Sequence, residues 1–226
     1  MFENWFLSES LGPPEPPSEV RIDTFLFLSS RHFVVSRYIL EMDSNFTPCL
    51  EVYDFLDSIE SGIPRLVKSY QIPELDGTSL MASMFLRSDP APDNIGSSAL
   101  PHARPFFLAP SSRLMTVRME AFDHNHNHKH YMLFVHHSTL LSGLEKDPEQ
   151  TMVPWDEWGP DSTRFLTSQR RFNNMGWVCY VYGNRYIRTV QKSLRNPREG
   201  WYIWIYDFNP LTLQRGKYYL RNDELD

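Results

Sequence analysis

The sequence predicts an all-β protein built as a partial or open β-propeller-like array of antiparallel sheets, with about three blades. Residues 50–55 and 202–208 are both strand-length apolar runs that end in Tyr-Asp-Phe before a turn. Such self-similarity is typical of architectures assembled from repeated β units. Residues 202–208 and 177–182 are also apolar on both alternating faces. This pattern predicts strands that neighbouring sheets cover on both sides.

Four short strands with turn residues between them predict the first sheet. They cover residues 23–29, 32–42, 50–55 and 65–72. Ser30-Arg31, residues 45–48 and Ser61-Gly62 separate them, and Pro73 ends the last one because proline donates no ladder hydrogen bond. Four antiparallel strands of this length match one propeller blade.

A second unit follows, in which an insertion separates the first two strands. Residues 79–87 and 113–122 have strand patterns, and residues 88–110 between them are rich in Pro and Ser. Residues 131–135 take the place of a third strand. Residues 138–144 then indicate a short helical turn.

The third unit contains the best hairpin signal in the chain. Its strands are predicted at residues 165–166, 177–182, 185–190 and 201–208. Gly183-Asn184 joins two of them, and both residue types tolerate the positive φ that two-residue hairpin turns need. Residues 217–220 are predicted to begin a further strand.

Length and composition fit one β domain. The 226 residues can bury a substantial core, and we assign residues 1–20 to a Pro-rich lead-in and residues 21–226 to a single domain. No apolar run approaches the roughly 20 residues that span a bilayer, and the first residues do not resemble a secretory signal. Cys49 and Cys179 fall in or beside apolar strand patterns, which favours buried free thiols. We therefore expect a cytoplasmic or nuclear location.

The net charge of −6 is distributed unevenly along the chain. Residues 161–226 carry eleven Lys or Arg against six Asp or Glu. These cations are dispersed among strands and loops, so we interpret them as a solvated surface and expect no nucleic-acid binding.

Alternating histidines at His124, His126, His128 and His130 form the most suggestive metal motif. Residues two apart share a face of a strand, and neutral imidazole is a good zinc, nickel or copper ligand. However, alternating His and Asn between two strands is also typical of an exposed hairpin loop, and we assign no metal. His136 and His137 are interpreted as surface or hydrogen-bonded core residues.

Two pairs of residues are candidates for catalysis or sugar binding. Asp54 and Asp207 end equivalent strands, which predicts the same structural role twice, namely accepting hydrogen bonds from turn N–H groups. Trp155 and Trp158 could stack a sugar beside Asp156-Glu157, although aromatic packing between blades and a solvated acidic turn explain the same residues.

The sequence predicts no catalytic, cofactor-binding or metal-binding residues and no cofactor. It contains no Gly-rich phosphate loop, no Gly-x-Ser-x-Gly elbow and no His-Glu-x-x-His helix. We expect a non-enzymatic interaction module that contacts a protein partner through loops such as residues 88–110 and 191–200. Exposed strand edges would add self-association. The alternative is a carbohydrate-binding or hydrolytic β domain that uses Trp155, Trp158 and the nearby acids.

Three motifs later in the chain carry a resemblance to a known family. They are Trp-Asp-Glu-Trp-Gly-Pro at residues 155–160 with Thr163-Arg164, Tyr-Gly-Asn-Arg-Tyr at residues 182–186, and Tyr-Asp-Phe-Asn-Pro at residues 206–210. Together they resemble the carboxy-terminal region of fungal F-box-type proteins, from about Arg21 onward. The resemblance implies a propeller-like half that recognises a target, while an amino-terminal F-box module docks onto a ubiquitin-ligase scaffold. Residues before Arg21 hold no Leu-Pro-led F-box segment, so the chain resembles a recognition half without its adaptor.

Overall fold

The computed structural model describes residues 20–39, 47–56, 62–75, 80–89, 113–123, 125–146, 149–168, 180–191 and 200–209. The strands in these ranges are β1 (Val20–Arg21), β2 (Phe25–Phe27), β3 (His32–Ile39), β4 (Cys49–Asp54), β5 (Arg65–Gln71), β6 (Leu80–Arg87), β7 (Leu114–Phe122), β8 (His128–His136), β9 (Met152–Val153), β10 (Thr163–Ser168), β11 (Val181–Tyr182), β12 (Arg185–Gln191) and β13 (Trp201–Asp207). The helices are α1 (His137–Lys146) and α2 (Trp155–Ser162). The predictions at residues 40–42, 177–179 and 217–220 lie outside the described residues, as do Cys179, His124 and most of the loops 88–110 and 191–200.

The described strands form three sheets, which we number in chain order. Sheet one has the strand order β1-β3-β4-β5-β9, with β2 paired to β3. Sheet two has the order β10-β8-β7-β6, and sheet three has the order β11-β12-β13. The pairings are antiparallel except for β5 with β9. None of the three sheets closes on itself within the described ranges, which confirms the prediction of an all-β, open, propeller-like array of antiparallel sheets.

Sheet two lies between the other two sheets. Met115, Val117 and Leu133 face sheet one in the large core cluster, where the sheet-one side includes Val34 and Leu50. Leu114, Met132 and Phe134 lie on the opposite face of sheet two. They pack against Val181 and Tyr186 of sheet three. Residues 131–135 of β8 therefore form a continuous apolar run because both faces of this strand are buried.

Side-chain hydrogen bonds join sheet one to the edge of sheet two. The Asp23 carboxylate accepts hydrogen bonds from the Tyr38 hydroxyl at 2.9 Å and from the backbone N–H of Met84 at 2.7 Å. The Thr24 hydroxyl oxygen accepts another from the backbone N–H of Leu86, also at 2.7 Å. Met84 and Leu86 belong to edge strand β6, so these bonds satisfy backbone donors that an edge strand would otherwise present to other chains.

Strand β10 corrects one sequence-based assignment. Residues 165–166 were predicted to belong to the third unit, but Phe165 and Leu166 pair with Leu133 and Met132 of β8 in sheet two. Helix α2 ends at Ser162 and directs the chain back along β8, where Thr163 is opposite Val135. Such long-range pairing leaves no local pattern in the sequence.

Helix α1 confirms the predicted helical turn and extends it, whereas α2 was not predicted. Pro160 lies inside α2 and Gly159 precedes it, and both residues disfavour helix interiors. The helix forms because Trp158 is buried, packs against Tyr70 and donates a hydrogen bond of 2.8 Å from its indole N–H to the carbonyl oxygen of Gln71. Tertiary packing thus outweighs the low local helix propensity.

Candidate interaction surfaces

The outer face of sheet three carries exposed apolar side chains next to the Arg185–Asp207 ion pair. Ile205 is 62% exposed, Ile203 is 67% exposed, and Ile187 lies directly opposite Ile205 on β12. Tyr182 of β11 is 59% exposed on the same side. We call these four residues the isoleucine face. Solitary exposed apolar residues are common on proteins, but a contiguous group of this kind marks a binding surface.

The inner face of sheet three is covered only in part. Tyr186 packs against Phe134 of sheet two with ring centroids 5.0 Å apart, and Phe208 stacks on the same ring at 4.7 Å. Farther along β13, Tyr202 is 52% exposed and Trp204 is 41% exposed. The prediction that both faces of residues 202–208 are covered is therefore wrong. Apolar residues on both faces show which surfaces a strand can bury, and among the described residues no further sheet covers the outer face of sheet three.

The outer face of sheet one carries a second apolar group, made of five aromatic rings in mutual contact, of which Phe33, Tyr53 and Phe55 are half-buried. The rings of Phe33 and Tyr53 stack at 5.3 Å, and those of Phe27 and Phe55 meet edge-on at 5.9 Å. Phe25 completes the group, 5.8 Å from Phe27. We call these five residues the aromatic face. Phe25 is 56% exposed, and Phe27 is also exposed.

Three further apolar side chains border the aromatic face and are exposed. They are Leu56, Ile63 and Leu66. Leu66 lies opposite Tyr53 in the β4–β5 ladder, after a bulge between Val52 and Tyr53. The apolar surface therefore extends from β2 across sheet one to β5, and aromatic residues at such a surface are the type that dominates binding energy in protein interfaces.

Buried acidic side chains anchor the arginines around the aromatic face. The Asp54 carboxylate is 1% exposed and accepts a hydrogen bond of 2.7 Å from Nε of Arg31, while Nη2 of Arg31 lies 2.6 Å from the same oxygen. Arg65 lies 4.0 Å from that oxygen. Glu51 is buried and accepts hydrogen bonds from Arg37 at 2.6 Å and from the Tyr53 hydroxyl at 2.7 Å. These carboxylates hold the framework of the surface in place.

Asp54 and Asp207 perform the same local task, as the repeat predicted. The Oδ1 atom of Asp54 accepts a hydrogen bond from the backbone N–H of Leu56 at 2.9 Å. The Oδ1 atom of Asp207 accepts one from the backbone N–H of Asn209 at the same distance. Each carboxylate also pairs with an arginine, and the contact of Asp207 with Nε of Arg185 measures 3.3 Å. This confirms the turn-stabilising role and gives the two residues a structural function.

Cys49 lies next to Glu51 and is buried, in agreement with the sequence-based expectation. Burial, together with the neighbouring Glu51 carboxylate, raises the pKa of the Cys49 thiol to about 12. The thiol is consequently protonated at neutral pH, and a protonated thiol is a poor nucleophile.

A cleft of about 640 Å³ opens between α1, α2 and the end of sheet one. Lys68 and Lys146 supply two ammonium groups, and Glu157 supplies a carboxylate. Four hydroxyl side chains share the lining, from Ser138, Thr139, Ser142 and Ser162. Lys68 is almost fully buried and donates a hydrogen bond of 2.6 Å to the carbonyl oxygen of Gly143, which fixes α1 against β5. We call this opening the α1–α2 cleft.

The two tryptophans proposed for sugar stacking are mainly packing residues. Their rings meet edge-on at 5.3 Å, and the ring of Trp158 meets Tyr70 edge-on at 5.2 Å. The acidic residues Asp156 and Glu157 are exposed in the first turn of α2, where negative charge complements the helix dipole. Of Trp155, Asp156, Glu157 and Trp158, only Glu157 and Trp158 line the α1–α2 cleft.

The histidine-rich segment forms the turn between β7 and β8. Asp123 accepts hydrogen bonds at 2.9 Å from the backbone N–H groups of Asn125 and Asn127, and His126 has a positive φ of 60°. His126 and His128 are exposed, whereas His130 is buried with its Nδ1 atom 3.6 Å from Glu120. Among the described residues, no three His, Cys, Asp or Glu side chains are grouped to hold a metal ion.

His137 confirms the interpretation of a core histidine. It is buried at the start of α1, and its Nε2 atom lies 2.9 Å from the Ser88 hydroxyl. Burial, together with the nearby Arg113 guanidinium, lowers the pKa of His137 to about 3. His137 is therefore neutral throughout the physiological pH range. His136 is half-buried.

Comparison with protein-family models, with curated proteins and with solved structures finds no match to this chain. Neither of the two helices in the described ranges is long and apolar enough to cross a membrane. The functional assignment therefore depends on the surfaces described above.

Proposed function

We propose that the chain is a non-enzymatic protein-interaction module that binds protein through the two ends of its sheet stack. One observation carries the proposal: Phe25 and Phe27 of the aromatic face and the residues of the isoleucine face are exposed on the outer sides of sheets one and three. Soluble proteins rarely expose contiguous apolar groups of this kind unless a partner covers them.

The composition of the two faces favours a protein partner. Aromatic residues and arginines are enriched in protein interfaces, and the aromatic face combines five rings with Arg31 and Arg65 at its edge. Both faces lie on β-sheets, whose rigid strands hold side chains in fixed positions at low entropic cost. The partner we expect presents aliphatic and aromatic side chains on an equally regular surface.

The resemblance to F-box-type proteins supports the same class of function. A target-recognition region would act in the cytoplasm or the nucleus and would use loops at residues 88–110 and 191–200 in addition to the end faces. The propeller-like arrangement of sheets is compatible with this role, since stacked sheets position variable loops on a common side.

Site-specific photo-crosslinking tests the proposal. A photo-reactive amino acid in place of Phe25 or Ile205 is expected to capture one defined protein band in cell extract, while the same amino acid in place of exposed Glu145 on α1 is not. Addition of the purified unlabelled chain should compete for the band, whereas its Phe25→Glu and Ile205→Glu variants should not. Equal labelling at the three positions would refute the proposal.

The α1–α2 cleft favours one second candidate, a carbohydrate-binding or hydrolytic function. Four hydroxyl groups, the Glu157 carboxylate and the Gln150 amide line the same opening and could bond to sugar hydroxyls. Trp158 supports the core, so exposed Glu157 is the better residue to change. Binding on a glycan array that Glu157→Gln abolishes, with an unchanged unfolding midpoint, would support this function. Absence of binding across the array, together with no release of reducing sugar, would eliminate it.

A further inference from the structure

The α1–α2 cleft carries opposite charges on different walls. Lys68 of β5 and Lys146 of α1 contribute ammonium groups to one wall, and Glu157 of α2 contributes a carboxylate to another. The amide Nε2 atom of Gln150 donates a hydrogen bond of 3.1 Å to Oε2 of Glu157, which holds this carboxylate on the α2 side. An anionic group that enters the cleft is therefore attracted toward the wall formed by β5 and α1 and repelled from α2.

The ammonium group of Lys68 is the best placed of these charges to bind an anion. Lys68 is only 2% exposed, and its Nζ atom donates a hydrogen bond of 2.6 Å to the carbonyl oxygen of Gly143, which holds the ammonium group in place. An ammonium group has three N–H donors, so it can serve an acceptor from a ligand as well as this carbonyl oxygen. Burial also reduces screening by water and salt, which strengthens the attraction of an anion to Lys68. Lys146 is exposed in the last turn of α1 and adds a second positive charge.

The rest of the lining is rich in hydroxyl groups. The side chains of Ser138, Thr139, Ser142 and Ser162 supply them. Hydroxyl groups both donate and accept hydrogen bonds, so they match the hydroxyl groups of a sugar, and the Glu157 carboxylate accepts hydrogen bonds from the same donors. The cleft volume of about 640 Å³ lies within the range of about 300–1,000 Å³ that is typical of small-molecule sites. Such a lining suits a ligand that has several hydroxyl groups and one anionic group.

We propose that the α1–α2 cleft binds a small sugar that carries one phosphate or carboxylate group. The anionic group binds at Lys68 and Lys146, and the sugar hydroxyl groups bond to Glu157 and to the hydroxyl side chains of α1 and α2. The inference rests on the second candidate function and names its ligand class, because a neutral sugar would make no use of the charge of the two ammonium groups. It is independent of the aromatic face and the isoleucine face, whose residues do not line the cleft.

Isothermal titration calorimetry on the purified 226-residue chain tests the inference. The probes are glucose, galactose and mannose, each as the free sugar, the 6-phosphate and the corresponding uronate, together with inorganic phosphate. At least one of the anionic sugars should bind at least about tenfold more tightly than its free sugar and than inorganic phosphate. Lys146→Gln, at an exposed position, should weaken that binding about three- to tenfold. Arg87→Gln removes an exposed positive charge on β6 outside the cleft, so this matched control should bind like the wild-type chain.

The outcomes separate this inference from the function on which it rests. Free sugars that bind as tightly as their anionic forms would overturn the inference and leave a carbohydrate-binding function standing. Inorganic phosphate that binds as tightly as the sugar phosphates would overturn it as well, because the hydroxyl groups would then contribute nothing. Equal losses from Lys146→Gln and Arg87→Gln would show that the anionic sugars do not bind in the cleft. Absence of binding by every probe would overturn the inference, and the glycan array then decides separately on the second candidate function.

Discussion

The Tyr70 hydroxyl occupies the position that a β-carbon on Gly143 would need. The same hydroxyl donates a hydrogen bond of 2.7 Å to the carbonyl oxygen of Leu140, so Tyr70 holds α1 against sheet one. Glycine at position 143 therefore allows the close approach of helix and strand, despite its low helix propensity.

The first prediction concerns Gly143→Ala. Alanine in a helix interior ordinarily stabilises by about 1 kcal/mol relative to glycine. Here the added methyl group would overlap Tyr70, so we expect the free energy of unfolding to fall by about 1–3 kcal/mol, measured by urea denaturation. Removal of the hydroxyl with Tyr70→Phe should reduce the cost of Gly143→Ala. Additive effects of the two substitutions would contradict the overlap.

The second prediction compares the two repeated aspartates. The carboxylate of Asp54 is buried and contacts two nitrogen atoms of Arg31. The side chain of Asp207 is 27% exposed, and its Oδ2 atom lies 3.3 Å from Nε of Arg185. We expect Asp54→Asn to lower the free energy of unfolding by about 3 kcal/mol, since it leaves a charged partner without its buried carboxylate. Asp207→Asn should cost less than about 1 kcal/mol. Thermal or urea unfolding of both variants measures the difference, and equal losses would contradict the structural distinction.

The third prediction is a pH dependence that originates in His137. Its pKa is about 3 in the folded chain and about 6.5 when the chain unfolds, so the unfolded chain binds the proton more readily. Stability from this residue is complete above about pH 7 and declines as the pH falls through about 6.5 toward about 3. Between about pH 7 and about pH 5 the loss should be roughly 2 kcal/mol. His137→Gln should show a shallower decline over the same interval, and an identical decline in both proteins would exclude His137 as its source.

The fourth prediction concerns the reactivity of Cys49. The variant Cys179→Ser leaves Cys49 as the only thiol in the chain. Burial and a thiol pKa of about 12 predict almost no reaction with a disulfide reagent in the folded protein at mildly alkaline pH. In urea, one thiol per chain should react rapidly. Rapid labelling without denaturant would show that β4 opens easily.

Most strands were predictable because their ends carry turn residues with a clear physical role. Gly183 adopts a positive φ of 61°, and the predicted hairpin between β11 and β12 follows from it. Residues 65–72 and 113–122 were located to within one residue, since Pro73 and alternating apolar positions define them. The structural role of Asp54 and Asp207 was also predictable, because a repeat places the same chemistry in the same local geometry.

The remaining features depend on contacts that are distant in sequence. Helix α2 contains Gly159 and Pro160, and it is held by the packing of Trp158 on Tyr70, which local propensity does not reveal. The partner strand of β10 and the exposure of Ile203 and Ile205 depend on the order in which the sheets stack. An apolar pattern shows that a face of a strand can be buried. It does not show whether residues of the same chain cover that face. The aromatic face and the isoleucine face were not predicted from the sequence for this reason.

The sandwiched position of sheet two also sets the order in which parts of the molecule open. Amide hydrogens of β8 lie between layers on both sides, so we expect their exchange with deuterated solvent to require opening of the whole domain. Among the described residues, sheet three packs on sheet two through the small cluster around Phe134 and Tyr186, so we expect it to detach at lower free energy and its amides to exchange earlier. The chain thus has a slow-exchanging centre and a faster-exchanging carboxy-terminal layer.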